Sequence, residues 1–201
     1  MTGNFVQIKI DASQIEQLGN LIAAAGTKAP KALASAVNHT GAKARTAMVR
    51  SLTKQTGLKQ RIIKRALKAK PAMSSQGSED FIIKSFGGNI SIKYFGAREK
   101  GDGADAHPWG RRMHFKGAFT KAGGGFGAKG GKRGRRAIAK LHGHFIRRQG
   151  SSKYPTDIVK SGLFIPQELV SGATSEAFFS VVQSDLAPRM FHELLRMFPA
   201  K

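Results

Sequence analysis

Between residues 96 and 148 the chain places 13 glycines. In a helix interior each glycine costs about 0.8–1 kcal/mol relative to alanine, so this stretch cannot be built from helices. It also carries 14 Lys and Arg against three Asp and Glu. Yet Phe115, Phe119, Phe126, Ile138, Leu141 and Phe145 punctuate it, more apolar side chains than a disordered tail usually holds. These constraints leave short strands joined by one long loop. Strand candidates are 114–119 and 144–148. The loop between them, about 121–136, contains GGGFGAKGGKRGRR and is expected to be mobile. A loop of that length is uncommon in a compact domain and is usually functional or disordered.

Elsewhere the periodicity is clearer. Val6, Ile8 and Ile10 alternate with polar residues as in a half-buried strand. Ser13 and Glu16 stand at capping-box spacing before Ile15, Leu18, Leu21 and Ile22, predicting a helix that stops at Gly26. Pro30 suits the first turn of a second helix. Its stripe of Leu33, Val37, Ala44 and Met48, with Leu52 beyond, predicts an amphipathic helix over about 31–54. After Thr56-Gly57, residues Leu58, Ile62, Ile63 and Ala66 suggest a shorter helix around 59–68 with a densely basic outer face. Phe81 and Ile83, then Gly87-Gly88-Asn89, then Ile90, Ile92 and Tyr94 read as a hairpin. Phe178 to Met197 resumes helical spacing over 174–198, with Pro188 expected to divide it into a helix pair. The fold class is α+β: a small antiparallel sheet of four or five strands packed against amphipathic helices, with a long Gly-rich basic loop. The length fits one domain, 1–201.

Thirty-four Lys and Arg stand against 12 Asp and Glu, a formal net charge of +22. Such an excess favours phosphate backbones, anionic lipid or acidic proteins as partners. It is unevenly spread. Residues 1–70 carry 13 basic and two acidic side chains, whereas 149–201 carry five of each. The absence of Cys excludes disulfides, thiolate zinc sites and cysteine nucleophiles. No run of 18 apolar residues suggests a membrane helix, and no secretory leader is expected at the N-terminus.

Catalytic motifs are weak. His142 and His144 flank Gly143 and, on a strand, would share a face. With Asp102 or Asp105 they suggest a metal or nuclease-like centre, but the spacings match no compact zinc pattern. Gly127 to Lys132 approaches a phosphate-binding loop, yet Arg133 stands where a Ser or Thr is required and no helix follows. The expectation is therefore no enzyme, no metal and no cofactor. Contact with nucleic acid or an acidic partner is better supported. Its candidate residues are Lys59, Arg61, Lys64, Arg65 and Lys68 on the basic helix, Lys129, Lys132, Arg133, Arg135 and Arg136 in the loop, and Arg147 and Arg148 in the last strand. Cations on such a backbone suit phosphate contacts rather than base reading. A merely solvated basic loop satisfies the same composition.

The order of elements resembles the prophage minor tail protein Z family of long-tailed bacteriophages. The resemblance covers about residues 30–198. It rests on Leu33-Ala34-Ser35-Ala36-Val37-Asn38-His39-Thr40 continuing to Val49-Arg50, on the basic helix from Leu58 to Leu67, and on Ile90-Ser91-Ile92-Lys93-Tyr94-Phe95-Gly96-Ala97-Arg98. Phe115-Lys116-Gly117-Ala118-Phe119 and Gly143-His144-Phe145-Ile146-Arg147-Arg148 follow in the family's order. Where the family has a segment ending Gly-Pro-Ser, this chain has Gly162-Leu163-Phe164-Ile165-Pro166. The insert at 121–136 is longer and more basic than the family pattern. The resemblance implies a structural tail completion protein acting at the head-proximal end of the tail, in tail assembly and head–tail joining. It implies a ring-forming homo-oligomer beside other tail or neck proteins, with genome DNA as a possible contact and no membrane partner. The implied location is the virion tail, with the host cytoplasm during assembly. The alternative is a free nucleic-acid-binding protein that uses a basic phosphate-contacting surface.

Overall fold

A computed structural model describes residues 12–74, 80–122, 136–137 and 139–198, and of 12–16, 122, 136–137 and 139 the backbone alone. The strand expected at 6–10 and the Ser13–Glu16 cap lie outside the described residues and side chains. Helical spacing is realised as α1 (Ala12–Ala25) and α2 (Ala29–Thr56). Between them Gly26, at φ +50°, opens a single 3-10 turn. Gly57 ends α2 at φ +74°, its N–H donating to Thr53 O at 3.1 Å. A Cβ there would also lie 3.0 Å from Gly110 N and 3.1 Å from His107 O, so both conformation and space require glycine. Next come α3 (Gln60–Ala66) and, without a break, strand β1 (Leu67–Lys70). The basic helix is thus shorter than expected, and Lys68 stands on a strand.

The chain divides into two compact units: Met1–Thr46, Ala69–Ile83 and Phe178–Lys201 form one, and Ala47–Lys68 with Lys84–Ala177 the other. In the first, Ala29, Ala32 and Leu194 form a buried cluster flanked by Leu18, Leu21, Ile22, Leu33 and Met197. Asp185 accepts hydrogen bonds from Thr40 Oγ1 at 2.9 Å and Lys43 Nζ at 2.5 Å. The Lys43 ammonium, with Thr40 and His39 adding to it, holds that carboxyl below the usual carboxylate range against the effect of burial. In the second unit the buried side chains include Leu52, Leu58, Ile63, Ile92, Phe95, Phe145 and Leu163. Each such residue contributes about 1.5–3 kcal/mol through burial.

The sheets are small and antiparallel. Strand β2 (Ile82–Ser85) pairs with β1. Strands β3 (Arg98–Lys100), β4 (Gly103–Ala106) and β5 (Met113–Lys116) form a three-stranded sheet with β4 central and buried. Strand β6 (Lys121–Ala122) pairs with β7 (Arg136–Ala137), and β8 (Ile146–Arg148) with β9 (Thr156–Ile158). Among the described residues the strands form one three-stranded and three two-stranded sheets rather than a single sheet of four or five. The hairpin expected over 81–94 is also absent, because 92–95 winds into a 3-10 turn. The backbone at 90–92 finds distant partners: Ile90 N–H donates to Leu163 O and Ile92 N–H to Val159 O. The alternation predicted neither the pairing nor the burial in full: Ile92 is buried, but Tyr94 is exposed and Ser91 between them is buried.

Helix α4 (Ile165–Leu169) precedes α5 (Gly172–Leu195), which runs unbroken through Pro188. The expected helix pair is a single helix. Pro188 and Ser184, four residues before it, are both exposed, so water can satisfy the carbonyl that the proline leaves without a donor.

Two helical glycines differ in surroundings. A Cβ on Gly41 would lie 2.3 Å from the Phe81 ring, whereas one on Gly19 meets nothing within 4 Å. Gly41→Ala should therefore lose about 1–2 kcal/mol through overpacking, despite its helix-propensity gain, while Gly19→Ala should gain up to about 1 kcal/mol. Denaturant unfolding of both variants checks this, and the opposite ranking would contradict the packing described.

Candidate functional site

The positive charge belongs almost entirely to one unit. The unit built from Ala47–Lys68 and Lys84–Ala177 holds 25 Lys and Arg against six Asp and Glu, a net +19, and the other holds nine against six. Within the basic unit a cleft of about 640 Å³ is lined by Gly101, Gly103, Gly117 and Gly150, by Lys121, Arg147 and Arg148, and by Glu99, Asp102, Ala118 and Phe119.

Local structure builds this cleft. Gly117, at φ +71°, turns the chain out of β5 and donates its N–H to Asp102 O at 2.8 Å. The Arg147 stem lies against it, with Cγ 3.5 Å from where a Cβ on residue 117 would stand. Phe119 and Ile146 exchange two backbone hydrogen bonds of 2.9 Å, which fix the start of β8 beside the turn. The Arg148 guanidinium sits 5.7 Å from the Phe119 ring centroid. Glu99 Oε1 accepts from the N–H groups of Thr120 and Lys121, at 2.5 and 2.7 Å. The acidic side chains of the cleft are therefore engaged, Glu99 with backbone donors and Asp102 with His114. Arg147 stands opposite Asp157 in the β8–β9 register, and Asp157 accepts from Gln149 at 2.8 Å. A cleft lined by four glycines and two arginines can receive an anion: backbone approaches closely, and each guanidinium fork can bind phosphate through two N–H groups.

The expected contact residues fall into separate groups. Lys59, Arg61, Lys64 and Arg65 are exposed around α3, while Ile63 is buried on its other side. Lys68 is exposed on β1, its Nζ 5.7 Å from the Phe86 ring centroid. Arg147 and Arg148 line the cleft, and the α3 cations do not. Lys129, Lys132, Arg133 and Arg135 lie outside the described residues. Of Arg136 only the backbone is described, in β7. The β6–β7 ladder pairs Lys121 with Ala137 and Ala122 with Arg136, and Lys121 belongs to the cleft. Sequence reasoning missed Glu99, Gly117, Phe119 and Lys121 as parts of a site. Gly117 and Phe119 had as their only signal a glycine and an aromatic inside a short strand candidate, and Glu99 and Lys121 had none.

Of the histidines and aspartates considered as a metal set, Asp102, Asp105 and His144 have other partners. His114 Nδ1 lies 2.7 Å from Asp105 and its Nε2 2.9 Å from Asp102. Asp105 also accepts from Arg112, and His114 faces it directly in the β4–β5 register. His142 and His144 do not share a strand face, because His142 at φ +46° and Gly143 at φ +75° make a turn. His144 Nδ1 lies 3.0 Å from Ser91 Oγ, and burial, with Lys93 and His142 nearby, pushes its pKa down. Among the described residues no three His, Asp or Glu side chains gather as a metal site. No described helix is long and apolar enough to cross a membrane.

The order of these elements meets an independent comparison. The family model described as Prophage minor tail protein Z (GPZ) matches residues 10–198. The chain belongs to the prophage minor tail protein Z family. Its role is therefore phage tail-associated, and its location is that of a virion structural protein. No curated protein and no solved structure matches it. The Phe95-Gly96-Ala97-Arg98 run that suggested the family is a turn: Phe95 is buried, Gly96 is left-handed at φ +68°, and Arg98 opens β3. The match starts further toward the N-terminus than the sequence resemblance, taking in α1 as well.

Asp105 and Asp102 raise the pKa of His114 above its ordinary 6.5, since both favour the charged imidazolium. His114 and Arg112 hold the Asp105 carboxyl below its ordinary 3.8. The stability due to His114 is full below its unfolded pKa of 6.5 and is lost as pH rises through the higher folded value. Melting temperature should therefore fall across that window, and His114→Asn should flatten the fall. An unchanged slope in the variant would contradict the bridge.

Proposed function

We propose that this family member completes the tail at its head-proximal end and joins tail to head, as a ring of copies, with its basic unit contacting genome DNA. The observation that carries the DNA contact is the confinement of +19 to one unit, which a purely protein–protein role does not require. Phosphates of any sequence can be held by exposed Lys and Arg, so a component that meets a passing genome needs no base reading. Assembly rests on apolar surface. Val170 is 75% exposed, and α5 leaves Phe179 and Leu195 open to neighbours. Closed rings of identical chains use such patches repeatedly. The role is structural rather than catalytic, and its partners are tail or neck proteins.

A charge-neutralised phage tests this reading. Replacing Lys59, Arg61, Lys64, Arg65, Arg147 and Arg148 by Gln should leave tails joined to heads under the electron microscope. Infectivity should fall at least tenfold, on the order expected for losing several phosphate contacts. Deleting the gene should instead give unjoined tails. Full infectivity of the neutralised phage would contradict DNA contact. Absence of the protein from purified virions, together with tight DNA binding by the free chain, would favour an unassembled nucleic-acid-binding protein.

A further inference from the structure

Four cations lie over aromatic rings among the described residues, and all four pairs fall in the basic unit. Three of the rings face solvent: Tyr154 is 70% exposed, Phe86 55% and Tyr94 39%. Rings left this open add little to a core, and water is a poor neighbour for them.

One group is ordered along the chain. Lys93 Nζ stands 4.9 Å from the Tyr94 centroid and donates to His142 O at 3.3 Å, which holds the cation beside the ring. Tyr94 meets His144 edge-on, their centroids 6.3 Å apart. His144 leads into β8, whose Arg148 covers Phe119 at the edge of the cleft. Ring contacts thus open and close the run 144–148, spread over about 13 Å at the usual rise of an extended chain. A cation therefore stands over a ring at each end of the run, Lys93 over Tyr94 beside His144 and Arg148 over Phe119.

This pattern discriminates between forms of nucleic acid. A duplex shows a protein its phosphates and groove edges, and its base faces are hidden within the stack. A single strand shows both phosphates and base faces, and an exposed aromatic ring beside a cation can hold both. We propose that the basic unit takes single-stranded nucleic acid in preference to duplex along the 144–148 run, with bases stacking on Tyr94 and His144 and phosphates meeting Arg147 and Arg148. The proposal rests on the reading that this unit contacts nucleic acid, and it adds the strand state.

Fluorescence anisotropy with the full chain tests it, using labelled oligothymidine and a duplex of equal length, about 20 nucleotides, at one salt concentration. Oligothymidine should bind at least about tenfold more tightly. Tyr94→Ala should remove most of that advantage while leaving duplex affinity unchanged, and Arg148→Gln should weaken both. Equal binding of the two forms, or a Tyr94→Ala loss shared equally by both, overturns the strand preference and leaves phosphate contact standing. Binding of neither overturns both readings. On the unmodified chain, photocrosslinking to a bromodeoxyuridine strand should map to Tyr94, Phe119 or His144. Crosslinks confined to α3 would overturn the assignment of the run.

Discussion

Like-charge repulsion is the constraint that the basic unit must satisfy before anything else. Twenty-five cations against six acids would oppose a compact fold if they were buried or crowded. The structure answers in two ways. Cations such as Lys59, Arg61, Lys64, Arg147 and Arg148 sit at exposed positions, where water and salt screen them. Most of the few acids serve as braces. Asp105 joins Arg112 to His114 across neighbouring strands. Glu168 accepts from Trp109 Nε1 at 2.9 Å and from Gln55, and so holds Trp109 in the left-handed region at φ +53°. Glu99 secures the turn at 120–121. Little acidic side chain remains to neutralise the outward-facing cations, so the unit keeps a strongly positive net charge.

Glycine makes this arrangement possible. Short ladders joined by glycine turns keep strands close without bulky cores between them. Gly103 shows the requirement most directly, since a Cβ there would come within 2.2 Å of Phe115 O. Gly117 lets the Arg147 stem lie flat on backbone. Glycines among those that exclude helix from 96–148 thus line the cleft with Arg147 and Arg148.

Where order is local, the sequence was legible. The 3.6-residue stripe marked α1 and α2, and Thr56-Gly57 marked the end of α2 because a left-handed turn there admits only glycine comfortably. Exposure of the α3 cations followed from the same periodicity. Strand partners were not legible. Ile90 and Ile92 alternate as a strand should, yet their hydrogen-bond partners lie near residue 160, and alternation carries no information about a distant partner. Pro188 does not break the helix: Leu194 beyond it is buried in the cluster with Ala29 and Ala32, and tertiary packing of this kind outweighs local propensity. The cleft depended on bringing Gly117, Lys121 and Arg147 together from separate segments, which no spacing announces.

The central claim is that the cations of this unit are displayed to phosphate. The dependence of DNA affinity on salt measures it most directly. A plot of log affinity against log salt should be linear, with a slope steeper than about −4.5, corresponding to about five or more phosphates neutralised. An affinity that stays constant across the same salt range would contradict it.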